Sequence, residues 1–282
     1  MTDLNKIKSD FFDVLKPIYE VEEINNFYKW LAEDLLNLSK LDLMMNSGVQ
    51  LESSALEQFK NAQNRLQAEE PIQYILGYAE FFGLNFKVNP AVLIPRPETE
   101  ELVEWILEDL KTNKNNLSIL DLGTGSGCIP ITLAKKLNSK QISALDISTE
   151  ALELAKANAK LNQVQVEFFQ ADLLAIGKLP ISAEILVSNP PYVKQDEKLQ
   201  MQKNVLNNEP HLALFVENND PLIFYRKIAE LAIKSIKTEV IYLEINQYLA
   251  EDTKLLFVDF GFKSVELKKD FRGNFRMLKA FK

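Results

Sequence analysis

From residue 117 onward the chain alternates short apolar runs with amphipathic stretches, and this alternation restricts the fold more than any other feature. The runs at 118–122, 141–146, 164–169, 184–188 and 239–245 are predicted to be strands. The stretches at about 128–137, 149–161, 220–236 and 247–259 are predicted to be helices, with apolar residues at helical spacing. Alternating strands and helices imply a parallel sheet covered on both faces. Two further strands, 262–268 and 275–281, follow one another across a short turn at Gly273. At least one pairing there is therefore expected to be antiparallel.

The preceding chain differs in pattern. Residues 3–70 place Leu4, Ile7, Phe11, Val14, Leu15 and Ile18, then Ile24, Phe27, Tyr28, Leu31, Leu35 and Leu38, at helical spacing. A third helix, with Leu56, Phe59 and Leu66, is expected to start near Ser53 and Ser54, which are N-cap candidates. Gly48 falls in an expected connection. This segment holds no reactive constellation and reads as a small helical domain suited to docking. Residues 71–97 carry Phe81, Phe82 and Phe86 among Gly77, Gly83, Pro90, Pro95 and Pro97, a hairpin-like linker to a helix that Pro97 can open. The expected boundaries are 1–72 for the helical domain, 73–96 for the linker and 97–282 for the α/β domain.

The chain has only nine glycines, and three of them, Gly123, Gly125 and Gly127, crowd the end of the first strand of the α/β domain in Ser118-Ile-Leu-Asp-Leu-Gly-Thr-Gly-Ser-Gly127. Glycine permits a tight turn and a close ligand approach, and the following helix offers free N–H groups. The spacing is not the Gly-x-Gly-x-x-Gly of dinucleotide folds, and no Lys-Ser/Thr ending follows to cradle phosphates. Asp121 would repel a phosphate and favour an ammonium or sulfonium group, which points to S-adenosylmethionine. Asp146, ending the second strand before Ile147, can accept hydrogen bonds from ribose hydroxyls. Asp172, after the third strand, is placed to help hold an adenine amino group, with Leu173 against the ring. Each acid alone is commonly a cap or turn residue; together they follow successive strands at the edge of a sheet where ligands bind.

The fourth strand ends in Ser188-Asn189-Pro190-Pro191-Tyr192. The two prolines fix the backbone and remove two N–H donors. The Asn189 side-chain oxygen and the backbone carbonyls remain as acceptors, and Tyr192 adds a flat face. Such a site suits a planar group bearing NH2. Read alone, Asn-Pro is also a strand-ending turn. A conjugated amino group is a poor nucleophile, but accepted hydrogen bonds raise electron density on nitrogen, and in-line placement against an activated methyl supplies much of the rate. No strong base is needed, so the single histidine, His211, reads as structural.

Composition narrows the remaining classes. One cysteine, Cys128, excludes an internal disulfide framework and multi-cysteine zinc sites. Neither a serine nucleophile elbow, a signal-peptide pattern nor an apolar stretch of membrane-spanning length occurs, so a cytoplasmic location without membrane attachment is expected. The net charge of −8 disfavours broad phosphate-backbone binding. The cluster Lys268, Lys269, Arg272, Arg276, Lys279 and Lys282 reads as a solvated edge that discourages strand pairing.

These motifs together resemble the HemK-like protein-(glutamine-N5) methyltransferases. The similarity rests on Pro71-Ile-Gln-Tyr-Ile-Leu-Gly77, Phe82-Gly83, Leu93-Ile-Pro-Arg-Pro-Glu-Thr-Glu100, Asp121-Leu-Gly-Thr-Gly-Ser-Gly127 and Asn189-Pro-Pro-Tyr192, and spans nearly the whole chain. It implies a Rossmann-like α/β methyltransferase domain with a mostly parallel sheet of seven strands behind a small helical domain. It implies S-adenosylmethionine held by Gly123, Thr124, Gly125, Ser126, Gly127, Asp146, Ile147, Asp172, Leu173 and Asn189. The substrate implied is the glutamine of a Gly-Gly-Gln motif in class 1 peptide chain release factors, its amide held by Asn189, Pro190, Pro191 and Tyr192. No metal, nucleic acid or membrane is required. Two departures stand out: Pro221 occupies a usual glycine position, and Asn246 replaces a commoner Gly or His after the fifth strand. Two other readings fit the acceptor motif less completely. One is an amino-methyltransferase acting on adenine or guanine in nucleic acid; the other is a cofactor-binding module without catalysis.

Overall fold

A computed structural model describes residues 4–45, 51–111, 117–137 and 141–282; the connection expected at Gly48 lies outside the described residues. The chain forms two compact units, Met1–Gly77 with Lys203–Asn208, and Tyr78–Gln202 with Glu209–Lys282.

The first unit contains α1 (Leu4–Leu15), α2 (Val21–Leu35), α3 (Lys40–Met45), α4 (Ser53–Gln67) and α5 (Ile72–Leu76). Their apolar stripes converge on Phe11, Leu15, Ile24, Leu31 and Leu66, which are buried together. Phe59 packs against Phe11 and Tyr28, with ring centroids 5.3 and 6.0 Å away. Ser53 is already helical, contrary to its expected capping role. Extended Glu52 (φ −69°) takes the N-cap position, and its side chain makes no capping bond. Arg65 closes the end of α4, pairing with Glu70 at 2.5 Å and donating to the Tyr74 and Ile75 carbonyls.

The second unit opens with an antiparallel hairpin, β1 (Tyr78–Phe81) and β2 (Leu84–Lys87). It continues through α6 (Pro97–Leu110), β3 (Ile119–Leu122), α7 (Cys128–Leu137), β4 (Ile142–Asp146), α8 (Thr149–Leu161), β5 (Glu167–Gln170) and β6 (Ile185–Ser188). Beyond β7 (Val193–Lys194), α9 (Lys203–Asn208) belongs to the first unit; then come α10 (His211–Leu214) and β8 (Phe215–Val216), which pairs with β7. The chain ends with α11 (Ile223–Lys234), β9 (Val240–Glu244), α12 (Ala250–Asp259), β10 (Ser264–Lys269) and β11 (Phe275–Phe281).

The central sheet has seven strands in the order β10-β11-β9-β6-β3-β4-β5. It is parallel from β9 to β5, and β11 pairs antiparallel with both β9 and β10. Because strand side chains alternate between faces, Ile119, Ile185, Val187 and Tyr242 pack under α6 and α7, while Leu120, Leu186, Ile241 and Leu243 pack under α11 and α12. Burial on both faces explains why β3, β6 and β9 are buried throughout and predominantly apolar, with Asp121 the exception inside β3.

Three elements start three residues later than expected. β5 starts at Glu167 because Gln163 adopts left-handed backbone (φ 57°) and the Val164 N–H bonds back to Ala159 at the end of α8. α11 starts at Ile223, after a turn in which the Asp220 N–H bonds to the Glu217 carbonyl. A single tight turn, Gln247–Leu249, precedes α12. Most of the C-terminal cations have partners within the chain, three of them on carboxylates of α6. Lys279 reaches Asp109 at 2.6 Å, the Lys282 ammonium caps the carbonyls of Ala232, Ile233 and Ser235, and Arg272 lies 3.6 Å from Glu98. Lys268 and Lys269 remain on the outer strand β10.

Two buried amides, Asn158 on α8 and Asn162 just beyond its end, fasten the hairpin. The Asn158 side chain accepts from the Lys87 N–H (2.7 Å) and donates to the carbonyls of Lys87 and Ser126, while Asn162 donates to Asn85. Replacing Asn158 with leucine keeps the bulk but leaves three backbone groups without this partner, the buried Ser126 carbonyl among them. Asn158→Leu is expected to destabilise by about 2–5 kcal/mol, measured by urea unfolding; a change under about 0.5 kcal/mol would remove this role.

Candidate active site

Strand order reverses beside β3: the chain leaves it for β4 and β5 on one side, then returns to β6 and β9 on the other. Open α/β sheets bind ligands outside the carboxyl ends of the strands at such a reversal. A cavity of about 470 Å³ lies there, lined by Pro90–Arg96, Thr99, Gly123–Ser126, Asp146–Ser148, Asp172–Leu174 and Asn189–Pro191. Its size suits a small organic ligand.

The glycine loop serves two purposes. Gly123 and Gly125 have φ of 79° and 53°, and the space where a Cβ would stand is open within 4 Å. There glycine permits the turn and leaves the backbone approachable. At Gly127 (φ 81°) a Cβ would meet Ile131 Cδ1 at 2.8 Å and Ala155 Cβ at 3.1 Å. That glycine allows α7 and α8 to pack closely and is not part of the cavity lining.

Of the expected acids, Asp146 accepts from the Gly125 N–H at 2.8 Å and the Ser148 N–H at 2.9 Å, tying β4 to the loop. A carboxylate has about four acceptor sites, so these bonds leave capacity for further donors. Exposed Asp172 accepts from the Leu174 N–H through one oxygen. Ile147 is 44% exposed and Leu173 is buried, and both line the cavity. Asp121 lies behind it within fully buried β3. Neither of its carboxylate oxygens completes a well-formed hydrogen bond. Burial drives its pKa to about 7, assisted by the nearby Asp146 charge and opposed by the adjacent Thr124 hydroxyl and Leu122 amide. Burial similarly pushes the Cys128 thiol up to about 12, leaving it protonated and unreactive near neutral pH.

Asn189, Pro190 and Pro191 face the cavity, but Tyr192 is not in its lining. The Tyr192 hydroxyl instead donates to Glu244 at 2.8 Å, and the Arg276 guanidinium lies 6.0 Å from its ring. Burial, followed by the Glu244 charge, raises the phenol pKa well above its ordinary value, so Tyr192 stays a donor. Glu244, itself 1% exposed, also accepts from Thr99 at 2.6 Å, and Thr99 accepts from the Asn189 side chain at 3.1 Å. Asn246 donates to the Tyr192 carbonyl at 3.0 Å and to Glu197, so this sequence departure secures the acceptor segment. Arg96, on the Pro90–Arg96 wall, pairs at 2.5 Å with buried Glu209, which also accepts from the Ile94 N–H.

Thr99, Glu209 and Glu244 were not apparent as site residues from spacing. Thr99 sits inside the Ile-Pro-Arg-Pro-Glu-Thr-Glu segment, which signalled its region but not its partner; Glu244 is 145 positions away. His211 packs edge-on to Phe215 with centroids 5.1 Å apart. Among the described residues, no group of three or more His, Cys, Asp or Glu could hold a metal ion. No described helix is long and apolar enough to cross a membrane.

Residues 100–213 match the family described as Methyltransferase small domain, and residues 13–77 match PrmC N-terminal domain. A release factor glutamine methyltransferase from Flavobacterium psychrophilum is 47% identical over 98% of each chain. One of the same name from Bacteroides thetaiotaomicron is 43% identical over 98% of this chain and 99% of its own. The crystal structure of a methyltransferase from Pyrococcus furiosus superposes with a TM-score of 0.53 at 20% identity, covering 79% of this chain and 98% of that one, and shares the fold.

Two outcomes follow from this geometry. Carbon-detected NMR is expected to give one aspartate carboxyl midpoint near 7, lost in Asp121→Asn; a midpoint below 5 would contradict the buried environment. Since this folded-state pKa is raised above the ordinary 3.8, its stabilising contribution is complete below that value and disappears as pH rises toward 7. Gly127→Ala, strained in both backbone and packing, is expected to cost about 2–5 kcal/mol by urea unfolding; less than about 1 kcal/mol would show that α7 and α8 readily yield.

Proposed function

The chain belongs to the release factor glutamine methyltransferases, and on that footing we propose that it methylates the side-chain amide nitrogen (N5) of the glutamine in a Gly-Gly-Gln motif of class 1 peptide chain release factors. The carrying observation is that Asn189, Pro190 and Pro191 line the same cavity as the glycine loop and Asp146. An amide clamp and a nucleotide-like crevice therefore open onto one space.

The donor set fits S-adenosylmethionine. Two glycines leave approachable backbone, Asp146 has acceptor capacity for ribose hydroxyls, and Ile147 and Leu173 supply apolar walls for a purine. Asp172 would hold the adenine amino group, with Thr124 and Ser126 completing the loop. When bound, S-adenosylmethionine supplies a methyl group activated by its sulfonium leaving group. The protein's task is then to hold the glutamine nitrogen in line. The Asn189 Oδ1 and the Pro190 carbonyl accept the two amide N–H bonds. Neither proline has an N–H to compete for these acceptors, and the held amide is more electron-rich at nitrogen. Tyr192 supports this clamp through its hydroxyl bond to Glu244.

In this reading residues 1–72 dock the release factor, 73–96 link, and 97–282 form the methyltransferase domain. The absence of a reactive constellation in the helical segment, together with its match to an N-terminal domain pattern, supports that division. Nucleic acid as acceptor gains no support from the C-terminal cations, since Arg272, Arg276, Lys279 and Lys282 have intramolecular partners.

Labelled S-adenosylmethionine offered with release factor and bulk RNA or DNA should label only the release factor, lost when its motif glutamine becomes alanine. Label confined to nucleic acid would overturn the reading. Asn189→Ala is expected to reduce turnover at least about 100-fold, while calorimetry finds cofactor affinity within about threefold. Asp146→Ala should do the converse, weakening cofactor about tenfold or more through lost charged hydrogen bonds.

A further inference from the structure

The Asn189 side chain can point either way: its oxygen accepts and its NH2 donates, and the two ends have nearly the same shape. Only one orientation lets it accept an N–H from a substrate amide. The surroundings select that orientation through a chain of hydrogen bonds ending on a carboxylate. Glu244 accepts from the Thr99 hydroxyl through Oε2 at 2.6 Å and from the Tyr192 hydroxyl through Oε1 at 2.8 Å. Thr99 and Glu244 are 2% and 1% exposed, so water offers little competition. Burial raises the Glu244 pKa, and the Thr99 and Tyr192 hydroxyls and the Arg276 charge oppose that shift; in its ionised form the carboxylate can only accept. Once the single Thr99 proton is directed toward Glu244, Thr99 Oγ1 can offer Asn189 only a lone pair. The Asn189 NH2 donates to it at 3.1 Å, leaving Oδ1 on the other side of the amide.

We propose that Thr99 and Glu244 are positioning residues for Asn189: they set the direction of a hydrogen-bond relay that turns the Asn189 oxygen toward the glutamine amide. The inference rests on the proposed role of Asn189 as the clamp. It also gives the Pro-Glu-Thr-Glu segment a function at the reaction centre. Thr99 lies in the first turn of α6, Glu244 ends β9, and Asn189 follows β6. Three elements thus converge on one side chain.

The test compares five variants of the full chain, using S-adenosylmethionine and a class 1 release factor. Thr99→Val keeps the shape but removes the hydroxyl. Its kcat is expected to fall about 10–100-fold, as for a misplaced reacting group, with cofactor affinity by calorimetry close to wild type and a lowered melting temperature, since Glu244 loses a buried donor. Thr99→Ser should recover most of kcat. Glu244→Gln remains able to bond both hydroxyls but can donate to Thr99, allowing the relay to reverse; kcat should again fall. It carries the test if Thr99→Val does not fold. In an Asn189→Ala background, Thr99→Val should produce no further loss. Equal losses in Thr99→Val and Thr99→Ser, or wild-type kcat in both Thr99→Val and Glu244→Gln beside an inactive Asn189→Ala, would overturn the relay. An active Asn189→Ala would instead defeat the clamp reading itself.

Discussion

A sheet buried on both faces has only its edges for polar chemistry, and this restriction organises the second unit. Residues of β3, β6 and β9 pack alternately under the two helical layers, leaving little room there for solvated groups. Polar function is consequently displaced to the carboxyl ends, where strand order reverses beside β3. The exceptions inside are costly: Asp121 is held in an apolar strand with its pKa far above the usual carboxylate range. Glu244 meets the same difficulty differently. Burial raises its pKa, while the Thr99 and Tyr192 hydroxyls and the Arg276 charge oppose the shift. A buried carboxylate supplied with donors becomes a directional anchor; one without well-formed bonds becomes a proton store.

Much of this architecture was legible because it arises from local pattern. Strand and helix alternation located the parallel sheet, and Gly273 marked the turn between the two antiparallel strands. The N-terminus of α6 at Pro97 also follows from a local rule, since proline there forfeits no helical hydrogen bond. The structure departs from local preference where a distant or conformational term outweighs it. Ser53 has capping chemistry, but the preceding residue takes the extended N-cap backbone. Val164 belongs by composition to a strand, yet its N–H is used to close α8.

The site was legible in a more uneven way. Gly123, Gly125, Asp146 and Asn189 carry their chemistry in residue type and position relative to a strand. Gly127 looked equivalent to the other two glycines, but its role depends on Ile131 and Ala155, and only packing distinguishes it. Tyr192 was expected to offer a flat face, whereas its hydroxyl is directed toward Glu244. Glu244 itself closes an ordinary apolar strand. Its importance comes from partners 145 and 52 positions away, separations that no local pattern encodes.

The order of the last two strands has a consequence for biosynthesis. β11 is made after β10 yet lies between β10 and β9, so strands cannot join the sheet in the order they leave the ribosome. Until β11 arrives, the outer edge of β9 lacks its antiparallel neighbour, and Glu244 lacks the nearby Arg276 charge. The side of the Asn189–Tyr192 segment supported by Glu244 is therefore assembled late, and a nascent chain with β3 to β9 already outside the ribosome still presents an open strand edge beside it.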